Sequence, residues 1–267
     1  MKILFIGDVV GSPGRKIVSQ ALPRLIPRWG IDLVVCNAEN SAGGSGLTIK
    51  CHDELVEAGV DVFTLGDHVY RKDEVFTLFE RSDRLLRAAN YPTVAPGGES
   101  VIVEARDGTP VGVFTLMGRT FMKPVDCPFR AADRVLAKME FLARVILVDF
   151  HAEATSDKQL LGRYLDGRVS AVLGTHTHVP TADEQILPKG TAYQTDVGMT
   201  GPYDSILGRR YDRVIAATLT NVPHFFDVAN GDPRLCGALI EVDPATGRAT
   251  SIKRVELKAD EVRALMT

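Results

Sequence analysis

Side chains that can bind a metal ion follow five apolar segments of the sequence. Each segment has the length and composition of a buried strand, and the residues that follow are Asp8 after ILFIG, Glu39 and Asn40 after LVVCNA, Asp67 and His68 after VFTLG, His151 after RVILVDF, and His176 and His178 after SAVLGT. Because the carboxyl ends of strands in α/β sheets gather at one edge, we expect these side chains to lie close together. Any one of them alone would more often be a cap or a hydrogen-bonded core residue. Five in the same position relative to a strand favour a common site.

Carboxylates held this closely repel one another, and their burial is costly unless a positive charge accompanies them. Divalent cations supply that charge, and mixed imidazole and carboxylate ligands suit manganese, iron, zinc or cobalt better than calcium. The set holds more ligands than one ion needs, which predicts two ions that share a bridging carboxylate. The His-x-His spacing of His176 and His178 adds to this, because alternate residues of an extended segment face the same way.

The composition indicates an ordinary globular protein. The chain has 267 residues, of which 45% are hydrophobic and 24% are charged, and its formal net charge is −3. This balance argues against a surface for duplex nucleic acid or an anionic membrane, and no apolar run approaches transmembrane length. The short apolar start meets Asp8 and indicates a strand rather than a signal peptide, and the four cysteines form no CxxC motif. We therefore expect reduced thiols and a cytoplasmic protein.

Alternating strands and helices are predicted to position the site. Residues 2–7, 32–37 and 61–65 predict strands, and helices are expected at about 12–29, 48–58 and 72–79, the first with Ser12-Pro13 as cap and first helical position. Residues 100–105 and 110–117 predict a β-hairpin through Arg106-Asp107-Gly108. A helix near 130–141 and strands at 143–148, 169–173, 190–194, 238–243 and 251–257 follow. The pattern predicts an α/β fold of two mixed sheets with helices outside, in a single domain over residues 1–267.

The motifs resemble those of the calcineurin-like metallophosphoesterase superfamily, whose pattern is an early Asp, a bridging acid, a GNH triplet, a lone His and GHxH. More closely, the chain resembles the YmdB-like bacterial phosphodiesterases, which act on 2′,3′-cyclic nucleotides. The segments that carry the resemblance span most of the chain: GDVVGSPGR from position 7, NAENSAGG from 37, TLGDH from 64, VDFHAEATS from 148, GTHTHVPTAD from 174 and YQTDVGMTGPYDS from 193. The resemblance implies a four-layer α-β-β-α sandwich.

The resemblance also implies a role for each site residue. A first metal would be held by Asp8, Asn40 and His178, a second by Asp67, His151 and His176, with Glu39 bridging both. His68 would stay off the metals and act as the general acid. The two ions would be divalent transition metals, iron or manganese first and zinc, cobalt or magnesium as alternatives. The substrate would be a cyclic nucleotide or another small phosphodiester.

Two features of the sequence depart from the family pattern. Asp67 stands where the family usually has Asn, and its extra negative charge should tighten metal binding and weaken attraction for an anionic phosphate. Val69-Tyr70-Arg71 follows His68, where the family commonly has an aromatic residue and an acid. The family's substrate contacts are therefore not carried over to these positions.

Other residues are predicted to surround the site. Asp149, Glu153 and Asp183 are candidates to accept the second N–H of ligand histidines, with plain solvent exposure as the alternative. The glycine-rich loop 43–46 and the loop 195–203 are expected to wall the pocket. Tyr203 and Phe121 are candidates to stack on a base, although packing in the core or at the rim is the commoner role of such residues.

Rival functions stay open on sequence alone. A phosphomonoesterase or protein phosphatase would share the metal chemistry, and a regulatory protein of the same fold would bind a nucleotide with little turnover. A metal-dependent amidohydrolase or peptidase fits poorly, because the chain has no HExxH motif. A homo-oligomer is compatible with a compact enzyme of this kind, but no interface can be read from the sequence.

Overall fold

The computed structural model describes residues 1–265, which form thirteen strands and seven helices. In chain order the elements are β1 (Lys2–Ile6), α1 (Gly11–Trp29), β2 (Leu33–Asn37), α2 (Ile49–Ala58), β3 (Val62–Thr64), α3 (Glu74–Arg81), β4 (Leu85–Leu86), β5 (Ser100–Glu104), β6 (Pro110–Met117), α4 (Pro128–Met139), β7 (Val145–His151), α5 (Thr155–Leu165), β8 (Ala171–Thr175), β9 (Gln185–Ile186), β10 (Ala192–Gln194), β11 (Gly201–Asp204), α6 (Tyr211–Thr220), β12 (Gly231–Val242), β13 (Ala249–Lys258) and α7 (Ala259–Ala264).

The strands form two mixed sheets. Sheet one has the order β11-β12-β1-β2-β3-β4, with β13 paired to β12, and sheet two has the order β5-β6-β7-β8-β10-β9. In sheet one β1 to β4 are parallel, and in sheet two β6, β7, β8 and β10 are parallel. Antiparallel strands complete both sheets, which confirms the predicted combination of βαβ units and hairpins.

Three hydrophobic clusters hold four layers together. Because successive side chains of a strand face opposite ways, β1 sends Leu4 and Ile6 towards α1 and sends Ile3 and Phe5 towards sheet two. The second cluster joins the two sheets and includes Val113 of β6. The third lies between sheet two and the helices α4 and α5. The order of layers is therefore helix, sheet, sheet, helix, as the family resemblance implied.

Several boundaries differ from the sequence prediction. Helix α1 begins at Gly11, so Ser12 lies inside its first turn and is not the cap. The cap position is Val10, and the Gly11 N–H donates to the Asn40 carbonyl at 3.0 Å, which fastens this helix end to the candidate site. Strand β12 begins seven residues before the predicted start, at Gly231. Helices α5, α6 and α7 and strands β4, β9 and β11 were not predicted. No helix within residues 1–265 is long and apolar enough to cross a membrane.

Candidate metal centre

The predicted ligands converge where strands of the two sheets end. Sheet one supplies the candidate oxygen ligands and sheet two supplies the candidate nitrogen ligands. The oxygen ligands are Asp8 after β1, Glu39 and Asn40 after β2, and Asp67 after β3; the nitrogen ligands are His151 at the end of β7 and His176 and His178 after β8. The site therefore lies at the junction of the two sheets, and neither sheet carries the whole set.

Four of these residues, Glu39, Asp67, His151 and His176, form one compact cluster with ligand atoms that all lie within 4.8 Å of one another. His151 Nε2 lies 3.0 Å from Glu39 Oε1 and 3.3 Å from Asp67 Oδ1. His176 Nδ1 lies 3.0 Å from the same His151 nitrogen and 3.6 Å from Asp67 Oδ1. Two imidazole nitrogens and two carboxylate oxygens that point at one place form a donor set suited to a transition-metal ion.

The other three predicted ligands, Asp8, Asn40 and His178, lie together beside this cluster. His178 Nε2 is 3.8 Å from Asp8 Oδ1 and 3.2 Å from the Asn40 amide nitrogen. Asp8 is completely buried, and its Oδ2 accepts the His176 N–H at 3.1 Å. Its Oδ1 has no hydrogen-bond partner among the described residues. A buried carboxylate oxygen without a partner is costly, so this atom fits a bound cation.

Glu39 is 1% exposed and is held by backbone amides. Its Oε2 accepts the N–H of Gly66 at 2.6 Å and the N–H of His68 at 3.0 Å. Its Oε1 is left to face His151. Two amide donors on one oxygen fix the direction of the other, which leaves Oε1 available as a ligand.

The His151 ring is oriented from behind by a hydrogen-bonded chain. His151 Nδ1 lies 2.9 Å from Thr175 Oγ1, and that hydroxyl donates to Asp149 Oδ1 at 2.7 Å. Since the Thr175 proton is used on the carboxylate, the Thr175 oxygen accepts from His151 Nδ1–H and the Nε2 lone pair faces the cluster. Asp149 thus supports His151 through a threonine rather than directly.

The other two candidate ligand histidines are also held by their second ring nitrogen. His176 Nε2 lies 3.1 Å from Glu153 Oε2, as predicted for that residue. His178 Nδ1 donates to the Leu207 carbonyl at 3.1 Å, a partner that was not predicted. The prediction for Asp183 was wrong, because its carboxylate accepts from the Thr181 hydroxyl and the Thr195 N–H instead of from a histidine.

The His-x-His segment is not extended. Strand β8 ends at Thr175, and His176 and His178 have φ of 96° and 65°, in the left-handed region. Both imidazoles do reach the site, but through a turn rather than through strand alternation, and they join different groups of ligands. Two left-handed positions at non-glycine residues so close together are costly, and such strain concentrates at functional sites.

The pKa shifts at the site follow from burial and from the charges of neighbouring candidate ligands. Burial, helped by neighbouring carboxylates and only partly offset by His151, raises the pKa of Asp8 to about 8. Burial alone would lower the pKa of His151, but the charge of Glu39, the hydrogen bonds with Asp67 and Glu39 and the charge of Asp8 together outweigh it and raise that pKa well above its ordinary value. Burial and the charge of His151 lower the pKa of His176 to about 4. A divalent cation would replace these protons as the counter-charge.

His68 lies at the outer side of the ligands. Its Nδ1 is 2.8 Å from Asn40 Oδ1, and its Nε2 is 3.8 Å from Asp67 Oδ2. The side chain is 26% exposed, more than any of the three histidines assigned as ligands. Burial lowers the pKa of His68 despite the nearby carboxylates of Glu39 and Asp67. The ring is therefore placed beside the cluster, where it can meet a molecule that enters from outside.

A buried ion pair behind the turn that carries His176 and His178 escaped sequence reasoning. Lys158 Nζ of α5 lies 2.7 Å from Asp196 Oδ2, and both side chains are almost completely buried. The same Asp196 oxygen accepts the N–H and the hydroxyl of Thr177, at 3.1 and 2.7 Å. Thr177 stands between the two histidines, so this pair fixes their turn. Nothing in the local sequence distinguishes Lys158 from an exposed helix lysine.

Asn37 at the end of β2 is a second residue that was missed. Its amide donates to Asp149 Oδ2 at 2.9 Å and contacts Thr175 Oγ1 at 3.4 Å. It thereby ties sheet one to the hydrogen-bonded chain behind His151. Its position two residues before Glu39 was the feature of the sequence that could have indicated a role at the site.

The two loops predicted to wall the pocket are fixed in place. Arg209 donates to the Gly43 carbonyl at 2.9 Å and also to the Gly44 carbonyl. In the second loop, Thr200 N–H donates to the Asp8 carbonyl at 2.9 Å, and Met199 N–H donates to the His178 carbonyl at 3.2 Å. The second loop therefore lies directly against the backbone of two candidate ligands.

Comparison with known proteins agrees with this geometry. The sequence profile described as YmdB-like protein matches residues 4–255. The chain belongs to the YmdB-like family. A relative from Bacillus subtilis (strain 168), named 2′,3′-cyclic-nucleotide 2′-phosphodiesterase, is 47% identical over 98% of this chain and 99% of its own length.

Solved structures of similar proteins have the same fold. A hypothetical protein from Thermus thermophilus matches with a TM-score of 0.91 and 46% identity over 97% of this chain and 99% of that chain. A protein from Mycoplasma pneumoniae described as a novel phosphatase matches with a TM-score of 0.90 and 33% identity over 100% of this chain and 96% of that chain. The resemblance stated from the motifs and the predicted fold class are both confirmed.

Proposed function

We propose that this protein is a two-metal phosphodiesterase that hydrolyses 2′,3′-cyclic nucleotides. The observation that carries the proposal is the buried Asp8 Oδ1, which lacks a partner among the described residues and lies beside the four-residue cluster. A YmdB-like relative of nearly the same length is named for this activity. Among the described residues, the ion pairs of Asp8, Glu39 and Asp67 are to histidines and not to Lys or Arg, so bound metal would supply the positive charge that meets an anionic phosphate.

Each metal would take its ligands from both sheets. Asp8, Asn40 and His178 would hold the first ion, and Asp67, His151 and His176 would hold the second. Glu39 would bridge them. When bound, such ions lower the pKa of water and neutralise charge on the phosphate oxygens. Iron or manganese suits the mixed nitrogen and oxygen ligands best, with zinc, cobalt or magnesium as alternatives.

His68 would donate a proton to the leaving oxygen. Its ring is held at Nδ1 by Asn40, which leaves Nε2 on the side of Asp67 and of the open surface. The ring would have to be protonated on both nitrogens for this step, and the proton on Nε2 would then pass to the ribose oxygen as its bond to phosphorus breaks. We expect His68→Ala to lower kcat about 100-fold or more while the metal content stays near that of the wild type. Loss of metal from this variant would instead indicate that His68 is a metal ligand.

The test pairs metal analysis with turnover. The metal-reconstituted protein should contain close to two ions per chain by mass spectrometry and should hydrolyse 2′,3′-cyclic AMP and bis-p-nitrophenyl phosphate. Glu39→Ala should lose metal and turnover, whereas Glu80→Ala, which removes an exposed carboxylate on α3, should keep both. No stoichiometric metal after reconstitution with manganese or iron would refute the proposal. Two metals without turnover of either substrate would favour a nucleotide-binding regulatory protein.

A further inference from the structure

The segment between β6 and α4, residues 118–127, borders the metal-ligand cluster, and we call it the 118–127 loop. The Gly118 N–H donates to the carbonyl of His151 at 3.0 Å. Further along, Lys123 Nζ donates to the carbonyl of Asp67 at 3.3 Å. Both contacts are to the backbone of candidate ligands, so the loop begins at the site and returns to it.

Polar contacts fix both ends of the 118–127 loop. The Asp157 carboxylate of α5 accepts the N–H of Arg119 at 3.2 Å, and it accepts the N–H and hydroxyl of Thr120 at 3.1 and 3.0 Å. Near the other end, the Asp126 N–H donates to the Asn90 carbonyl at 2.9 Å. The loop therefore presents the residues between these contacts in a defined position.

Phe121 lies between these contacts, and both its solvent exposure and its backbone conformation are unfavourable. The residue is 89% exposed and its φ is 61°. Exposure forgoes the hydrophobic gain of burial, and a left-handed backbone is disfavoured for a bulky residue. Two unfavourable features on one residue, in a loop anchored at both sides, indicate a function outside the fold. Phe121 lies two residues before Lys123, on the part of the loop that returns to the backbone of Asp67.

The other aromatic residue considered for stacking is already engaged. The Tyr203 hydroxyl lies 3.0 Å from Cys236 Sγ, and the Arg234 guanidinium lies 4.6 Å from the centre of the Tyr203 ring. Tyr203 therefore packs within the protein. Of the two candidates, Phe121 alone presents an open ring face.

We propose that Phe121 is a specificity-determining residue that stacks on the nucleobase of a cyclic nucleotide whose phosphate lies at the metal-ligand cluster. This inference rests on the proposed function and adds to it the part of the substrate that is recognised away from the phosphate. Stacking on an aromatic ring accepts every base because each has a π-face. The protein should therefore bind 2′,3′-cyclic mononucleotides as a class rather than select one base.

The test compares two substrates that differ only in the base. Metal-reconstituted full-length protein is assayed with 2′,3′-cyclic AMP and with methyl ribofuranoside 2,3-cyclic phosphate, in which a methoxy group replaces the base. Phe121→Ala should lower the ratio of kcat/KM for the nucleotide to kcat/KM for the base-free compound by about tenfold. Phe121→Trp keeps an aromatic ring at this position and should keep the ratio near its wild-type value. Phe141→Ala, which removes a ring that is 90% exposed just after α4, should leave the ratio at its wild-type value.

Two results would overturn the inference alone. One is a wild-type protein that hydrolyses both compounds with equal kcat/KM. The other is a Phe121→Ala variant in which the ratio is unchanged, including the case in which both rates fall by the same factor. A wild-type protein that hydrolyses neither compound would refute the proposed function, and this inference with it.

Discussion

Replacing Lys158 by Met should destabilise the protein strongly, because it removes one partner of a buried ion pair. Lys158 and Asp196 are 2% and 1% exposed and lie 2.7 Å apart. Breaking a buried pair from one side costs about 3–5 kcal/mol, since the remaining charge stays buried. Asp196 keeps uncharged donors on Thr177 and Gly198, so we expect the lower end of that range, about 3 kcal/mol.

The free energy of unfolding should be measured by denaturant titration with a chelator present, so that bound metal does not contribute. A loss of about 3 kcal/mol corresponds to a fall in Tm of roughly 6–12 °C for a chain of this size. Lys138→Met is a matched control: Lys138 is 63% exposed and 3.9 Å from Glu99, and the change should cost less than about 1 kcal/mol.

The double variant Lys158→Met with Asp196→Asn removes both charges and should be more stable than Lys158→Met alone. Since the pair holds Thr177 between two candidate ligands, Lys158→Met should also weaken metal binding in a calorimetric titration. A cost below about 1 kcal/mol for Lys158→Met, or a double variant less stable than the single, would refute the reasoning.

Three further changes test the site. Asp67→Asn should weaken metal binding about tenfold and lower KM for a phosphodiester about tenfold, because one unit charge a few ångströms away is worth about 1–4 kcal/mol. An unchanged metal affinity and an unchanged KM would contradict this expectation. Thr175→Val removes the hydroxyl that lies 2.9 Å from His151 Nδ1 and should weaken metal binding about 10–100-fold. If a metal titration gives the wild-type affinity, the His151 ring does not need this hydrogen bond. Gly66→Ala would place a methyl group 2.1 Å from His151 Cδ2 and should abolish stoichiometric metal binding measured by mass spectrometry, whereas Gly98→Ala, with no neighbour nearer than 3.5 Å, should retain it.

The position of the site could be predicted because strand ends carry a strong local signal. Apolar runs followed by Asp8, Glu39 or His151 show both the strand and its end, and parallel strands bring their ends together. The two sheets followed from the alternation of strands and helices in the first 90 residues and from the later hairpins.

Features that depend on distant residues could not be predicted. The first half of β12 contains Pro233 and Arg234 and lacks a strand pattern, but it pairs with both β11 and β13. The left-handed turn at His176 and His178 is held by two residues of the loop 195–203. Asp196 Oδ2 accepts the N–H of Thr177, and the Met199 N–H donates to the His178 carbonyl. These contacts join residues far apart in sequence, where local propensity carries no information.

Because the candidate ligands are divided between the sheets, a metal bound there would join the two sheets directly. All candidate acid and amide ligands come from sheet one and all candidate imidazole ligands from sheet two, and Asp8 and its contact His176 are 168 residues apart in sequence. A chain still being synthesised therefore has no complete centre until the turn after β8 has emerged and the sheets have docked. If metal binds as proposed, its uptake would mark a finished molecule, and its binding energy would add to the cohesion of the two sheets.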